Sequence, residues 1–234
     1  MSRPLRITAP NLFFHVLNRG NNRQTIFKDK DDFIYFLQLL KRYKKELKFR
    51  LYHFCLMPNH VHFVLEPTIE GSLSKILLKL TLAYTRYFNK KYHGVGHVWQ
   101  GRFKSSLIEK EDYFICCGLY VELNPVRAKI VGKPEDWPWS SYRFYAFGEK
   151  DNLIGELIDF DPYYLDLDKD QFGRQKKYGD NFRDIMKEKF LEGIRQDLDR
   201  GIFGSPNFIK TAKENFKIGS PKPPGRPIKE KNQN

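Results

Sequence analysis

The sequence predicts an α+β domain, an antiparallel sheet with helices on one face, followed by a helical extension and a basic tail. Three observations predict it. Across residues 11–108, apolar runs of strand length alternate with helical periodicity in the order strand, helix, strand, strand, helix, strand. The chain of 234 residues, 41% hydrophobic and 15% aromatic, can bury one sizeable core and still carry an extension. Beyond residue 216, apolar residues give way to Pro, Gly and Lys, a composition with no means of building a core.

Residues 11–17 (NLFFHVL) read as the first strand. His15 alternates along it, as a core or DNA-facing side chain rather than a metal ligand. Residues 18–24 (NRGNNRQ) form a turn-type loop; its backbone amides, Arg19, Asn21, Asn22 and Arg23 suit phosphate contact, and a plain solvated loop suits the pattern equally. Asp29 to Asp32 supply cap and first-turn acids for a helix over 32–47, with Phe33, Phe36, Leu37, Leu40, Tyr43 and Leu47 on one stripe. Residues 49–56 and 60–66 read as the second and third strands. Ser72 caps a second amphipathic helix that runs to about residue 91. Its lysines and Arg86 either line a DNA path or form a solvated face. Residues 97–108 enter the fourth strand. There Trp99, Arg102 and Lys104 mix a stacking ring with charge, the combination that holds single-stranded nucleic acid, although a core Trp between surface charges fits as well. This order is the split β-α-β arrangement of the ferredoxin-like fold.

The formal charge is +13, and it is uneven. Residues 1–150 carry 25 Lys and Arg against 13 Asp and Glu, whereas residues 151–216 carry 11 against 14. A basic domain rich in aromatics points to a polyanion, above all nucleic acid. The three cysteines, two of them adjacent, fit buried thiols in a reducing cytoplasm and not a disulfide framework. No apolar run is long enough to span a bilayer, and the first ten residues lack a signal-peptide core, so a cytoplasmic protein is expected.

Chemistry concentrates in CLMPNHVHFVLE, residues 55–66. His60 and His62 stand on one face of a strand, while Val61 and Phe63 point to the other. Two neutral imidazoles side by side are most of a divalent-metal site, or two strand histidines that only pack and bond to backbone. Residues 111–123 (EDYFICCGLYVEL) read as a helix ending at Asn124-Pro125. At about 100° per residue, Tyr113, Cys117, Tyr120 and Asn124 share a stripe, and Glu122 points away to the surface. That stripe is either an aromatic packing face or a phenol one turn from an amide oxygen. Two imidazoles and an amide oxygen would suit Mg²⁺ or Mn²⁺ and leave positions for phosphate oxygens.

MPNHVHFVLEP, then GHVWQGRFK, YVELNPVRA and WPWSSYR, in that order, resemble the REP-associated tyrosine transposases, single-strand HUH transposases with one catalytic tyrosine. The resemblance covers roughly residues 12–145, and VLNRGNNRQ resembles the family's loop before its first helix. It implies that His60 and His62 are the metal-binding pair, Asn124 the third ligand and Tyr120 the nucleophile; Tyr113, on the same stripe but farther from Asn124, is the second candidate. It further implies metal-dependent cleavage and rejoining of single-stranded hairpin DNA through a 5′-phosphotyrosine; a monomer or a homodimer is expected. Arg127, in the third motif, joins the DNA-contact candidates. Two other functions stay open: a catalytically silent DNA- or RNA-binding protein on the same fold, and a replication initiator or relaxase.

The organisation expected is a catalytic domain over 1–150, a packing extension over 151–216 and a disordered tail over 217–234. A helix over 178–200 and another from Ser205-Pro206 to about 216 make up the extension, whose acidity argues against a DNA-binding helical pair. In the tail, PPGRPIK resembles an AT-hook core, with Arg226 placed to enter the minor groove of duplex DNA.

Overall fold

The computed structural model describes residues 7, 9–68, 72–150, 153–185 and 188–216. Arg226 and the AT-hook-like segment lie outside the described residues, as do Met186 and Lys187. Five strands form one sheet in the order β2-β3-β1-β4-β5. They are β1 (Phe13–Arg19), β2 (Phe49–Met57), β3 (His60–Pro67), β4 (Lys104–Ile108) and β5 (Ile202–Phe203). The first four pair antiparallel, and β5 adds to β4 in parallel.

Helix α1 (Lys30–Leu47) begins at a reciprocal cap: Asp29 Oδ1 accepts from Asp32 N at 3.2 Å, and Asp32 Oδ2 accepts from Asp29 N at 3.4 Å. It packs beside α2 (Ser72–Tyr92) on one sheet face, with Phe36 stacked on Phe63 of β3. Lys91 of α2 is held by Asp29 at 2.7 Å and Asp32 at 2.8 Å, so it belongs to this cap and not to a free basic face.

The opposite face is not bare. Helix α3 (Asp112–Glu122) crosses it, and α4 (Asn124–Arg127) continues the chain after a break at Leu123. Gly118 lets α3 sit close to the sheet, because a Cβ there would lie 2.6 Å from the His53 ring. The face α3 covers is therefore the one that bears His15, His53, His60 and His62, and the helix and strand patterns meet over those imidazoles.

After α5 (Tyr142–Phe147) come α6 (Pro162–Leu165), α7 (Gln171–Ile185), α8 (Glu188–Arg200) and α9 (Pro206–Asn215). The helix expected over 178–200 corresponds to α7, which begins earlier at Gln171, and α8, with residues 186 and 187 between them outside the described residues. α6 is capped by Asp161 Oδ1, which accepts from Tyr163 N at 2.7 Å, and α9 by Ser205 Oγ, which accepts from Phe208 N at 3.2 Å. Strand β5 follows Gly201, whose φ of +92° allows the tight exit from α8. Pairing β5 with β4 covers a sheet edge that would otherwise expose unpaired backbone.

Glu122 departs from expectation. It is fully buried, not on the surface. Its Oε1 lies 3.0 Å from His53 Nδ1 and accepts from Ser141 Oγ, while Oε2 accepts from Tyr178 Oη at 2.9 Å. Asp161 Oδ2 takes the other ring nitrogen of His53 at 3.2 Å. Helical spacing alone placed Glu122 away from Tyr120; the sheet on one side and α7 on the other then buried both sides of α3. Trp99 likewise lies in the core, 8% exposed, with its Nε1 donating to Thr81 O at 3.2 Å and its ring against Phe36 and Tyr84. It has no open face for a base.

Candidate active site

Strand alternation puts His60 and His62 on the α3 face, with ring centroids 5.0 Å apart. The β1–β3 register sets Leu17 opposite His62, which brings His15, two residues back on β1, beside it. His15 Nε2 and His62 Nδ1 are 2.8 Å apart. Tyr120 of α3 lies edge-on to both, its ring centroid 6.3 Å from His15 and 6.4 Å from His62. One turn on, Asn124 donates its side-chain Nδ2 to Tyr120 O at 3.1 Å and Val121 O at 3.0 Å. Both amide protons are thereby used on the helix, and Oδ1 keeps acceptor capacity. These residues line one cavity of about 350 Å³ together with Arg19, Arg127 and Arg195.

All three histidines of the cavity favour the neutral form. Burial lowers His15 to about 4, against a smaller opposing pull from Asp199. Burial and then Arg19 lower His60 to about 4. Burial holds His62 well below the ordinary range, reinforced by His60, His15, Arg127 and Arg19. His60 Nδ1 lies 2.5 Å from Asn59 Oδ1. With Nδ1–H donating there, the Nε2 lone pair is free. In the neutral His15–His62 pair one nitrogen donates to the other, and a His62 Nδ1–H donor likewise leaves Nε2 free. An outer partner on each imidazole is how ligating histidines are oriented. Among the described residues no three His, Cys, Asp or Glu side chains form a metal cluster, so a cation at this pair would draw on the Asn124 oxygen and on oxygens from outside the protein.

Tyr120 is only 5% exposed. Burial raises its phenol pKa, while the hydrogen bond and charge of Arg127 pull it down, as does Arg195 more weakly. The Arg127 guanidinium lies 4.8 Å from the Tyr120 ring centroid. The phenol is therefore neutral at neutral pH, with cations placed to favour its anion.

Tyr113 lies elsewhere. It lines a separate cavity with Cys116, Ile194 and Phe203, and meets Phe203 edge-on at 5.1 Å. The loop candidates also separate. Arg19 lines the main cavity and a neighbouring one of about 380 Å³, which holds Gln100, Arg102 and Lys104. Asn21, Asn22 and Arg23 form an exposed 3-10 turn beside this region. Gly20 is required before that turn, since a Cβ would lie 2.4 Å from Gln24 O.

Sequence reasoning missed His15 as a member of the site, and it missed Arg195 and Asp199 of α8. The alternation that put His15 on the His62 face was legible, but its neighbour was set by sheet register. For α8 no local signal existed.

In this cavity a strand histidine pair faces a helix tyrosine, in a cleft edged by arginines. The family profile described as "Transposase IS200 like" matches residues 8–124, half of the chain, and the chain belongs to that family. It is 32% identical over 100 residues to a Haemophilus influenzae protein assigned as a REP-associated tyrosine transposase, a match over 38% of this chain and 56% of that protein. The chain thus spans about half the length of this curated relative. A REP-associated tyrosine transposase solved bound to a REP hairpin shares the fold, with a TM-score of 0.52 and 22% identity over 68% of this chain and 95% of the other. No helix of the described residues is long and apolar enough to cross a membrane.

Proposed function

We propose that this transposase cleaves and rejoins single-stranded DNA beside a hairpin, in the cytoplasm, with Tyr120 as the nucleophile. The single observation that carries this reading is Tyr120 facing His60 and His62 across one cavity. The hairpin as substrate is supported by what the fold relative is bound to and by the basic residues around the cleft.

The phenol Oη attacks the scissile phosphorus. An Oη–P bond forms and the P–O3′ bond breaks. The bonding electrons leave on the 3′ oxygen, and the phenol proton ends, through solvent, as that of a 3′-OH. The downstream strand stays on Tyr120 through its 5′-phosphate, as a phosphodiester that a second 3′-OH can attack, which reverses the step and joins strands. Arg127, against the Tyr120 ring, stabilises negative charge as the proton is lost. His60, His62 and Asn124 would hold Mg²⁺ or Mn²⁺, with free Nε2 and Oδ1 atoms as donors and Asn59 and His15 orienting the rings. A divalent ion bound there supplies positive charge against the phosphate. His15 is read as an orienting partner and not as a ligand.

The test is incubation of a labelled DNA hairpin with single-stranded flanks, with Mg²⁺ or Mn²⁺, followed by a denaturing gel. The expected result is a metal-requiring covalent protein–DNA band that Tyr120→Phe abolishes. A band that survives in Tyr120→Phe moves the nucleophile elsewhere. Tight hairpin binding with no covalent product under either metal would establish a silent DNA-binding protein instead.

A further inference from the structure

We propose that Arg195, on α8 of the C-terminal extension, is a catalytic residue that holds, together with Arg127, the phosphate attacked by Tyr120. The proposal rests on the reading of Tyr120 as the nucleophile. Arg195 lies beyond residues 8–124, the part of the chain matched by the family profile.

Helix α8 is fixed against the sheet next to the cavity. Ser106 Oγ of β4 donates to Leu198 O at 2.5 Å, and Lys104 pairs with Asp199 at 3.0 Å. The following strand β5 pairs Ile202 with Leu107 and Phe203 with Ile108. Leu191, Ile194 and Leu198 form the buried stripe of α8, and this orientation sets Arg195, Leu198 and Asp199 in the cavity wall. The two charged residues differ in commitment. Asp199 is engaged by Lys104. The Arg195 guanidinium has a loose partner, Glu192 at 3.7 Å, and both side chains are more than half or half exposed. A surface pair of that kind contributes next to nothing and yields readily to a better anion.

Arg127 already lies on one side of Tyr120, on α4, and Arg195 belongs to the same cavity from α8. When the Oη–P bond forms and P–O3′ breaks, negative charge grows on the phosphoryl oxygens. Guanidinium groups approaching from two elements can meet two of those oxygens with planar, paired donors. The same charge favours loss of the phenol proton.

Wild type, Arg195→Ala, Arg195→Lys and Arg200→Ala would be compared on the flanked DNA hairpin. Arg200 is an exposed residue of the same helix, paired with Asp197 and outside the cavity, so it controls for charge alone. The first readout is the rate of covalent adduct at saturating DNA, expected to fall about 100-fold in Arg195→Ala, as for loss of one transition-state donor. Arg195→Lys should recover part of that rate, and Arg200→Ala should match wild type. The second readout needs no catalysis: the slope of log affinity against log salt should lessen by about 0.7 in Arg195→Ala, the amount for one lost phosphate contact on a single strand. An Arg195→Ala protein with unchanged melting temperature, wild-type rate and wild-type slope overturns the proposal. A wild type that forms no adduct, yet loses the salt slope in Arg195→Ala, overturns the covalent reading of Tyr120 and with it the catalytic role of Arg195, while leaving the phosphate contact in place.

Discussion

Replacing His53 with Gln should unfold this protein more easily at neutral pH and much less so at pH 9.5. His53 is fully buried between two carboxylates, with Nδ1 3.0 Å from Glu122 and Nε2 3.2 Å from Asp161. Burial opposes its charge, but the hydrogen bonds it donates to Asp161 and Glu122 outweigh that and raise the imidazole from 6.5 to about 9. Below pH 6.5 both folded and unfolded chains hold the proton, and the stabilisation is complete. Between 6.5 and about 9 the folded state keeps a proton that the unfolded state has released, so stability falls as pH rises. That gap corresponds to about 3 kcal/mol, and removing one partner from a buried charged group costs about 3–5 kcal/mol. Urea unfolding followed by tryptophan fluorescence at pH 6 and 9.5 measures both. The wild type should exceed His53→Gln by about 3–5 kcal/mol at pH 6 and by only about 1 kcal/mol at pH 9.5. A difference below about 1 kcal/mol at pH 6, or one that does not change with pH, would refute the charged His53. Because Glu122 lies two residues after Tyr120 on α3, the same variant should also slow adduct formation by loosening that helix.

The acid side has the opposite sign. Burial lowers His15 and His60 to about 4, opposed on His15 by the Asp199 charge and reinforced on His60 by Arg19. Their contribution is present above pH 6.5 and lost as pH falls toward 4, because the unfolded chain takes up protons first. His15→Asn should therefore lose less stability than wild type between pH 6.5 and 4.5 in urea unfolding, and equal acid sensitivity would count against a buried neutral His15. Trp99→Ala should cost about 3–5 kcal/mol of stability, as expected for an emptied aromatic core site, whereas Arg102→Ala should leave the urea midpoint unchanged and weaken salt-dependent DNA binding. A Trp99→Ala protein of wild-type stability that had lost DNA affinity would restore the stacking role.

The order of elements was legible because it depends on local period. Alternation in NLFFHVL and CLMPNHVHFVLE marks strands, and the 3.6-residue stripe of 111–123 marks a helix. The same periods place His60 beside His62, and Tyr120 one turn before Asn124. Strand β5, which no local pattern marked, shows the limit. An extension without strong periodicity takes its shape from what it covers.

The sequence by itself determined which side chains share a face: His60 with His62, Tyr120 with Asn124, and the apolar stripes of α1 and α2. Only the tertiary structure decided what each face meets. Sheet register set His15 against His62, 47 positions away, and β5 pairing on β4 carried Arg195 to the cavity wall. It also buried Glu122 and Trp99, for which the local sequence allowed a surface place. Periodicity reports the direction a side chain takes from its own backbone, whereas burial and partnership depend on elements far along the chain, whose arrival is settled by long-range packing.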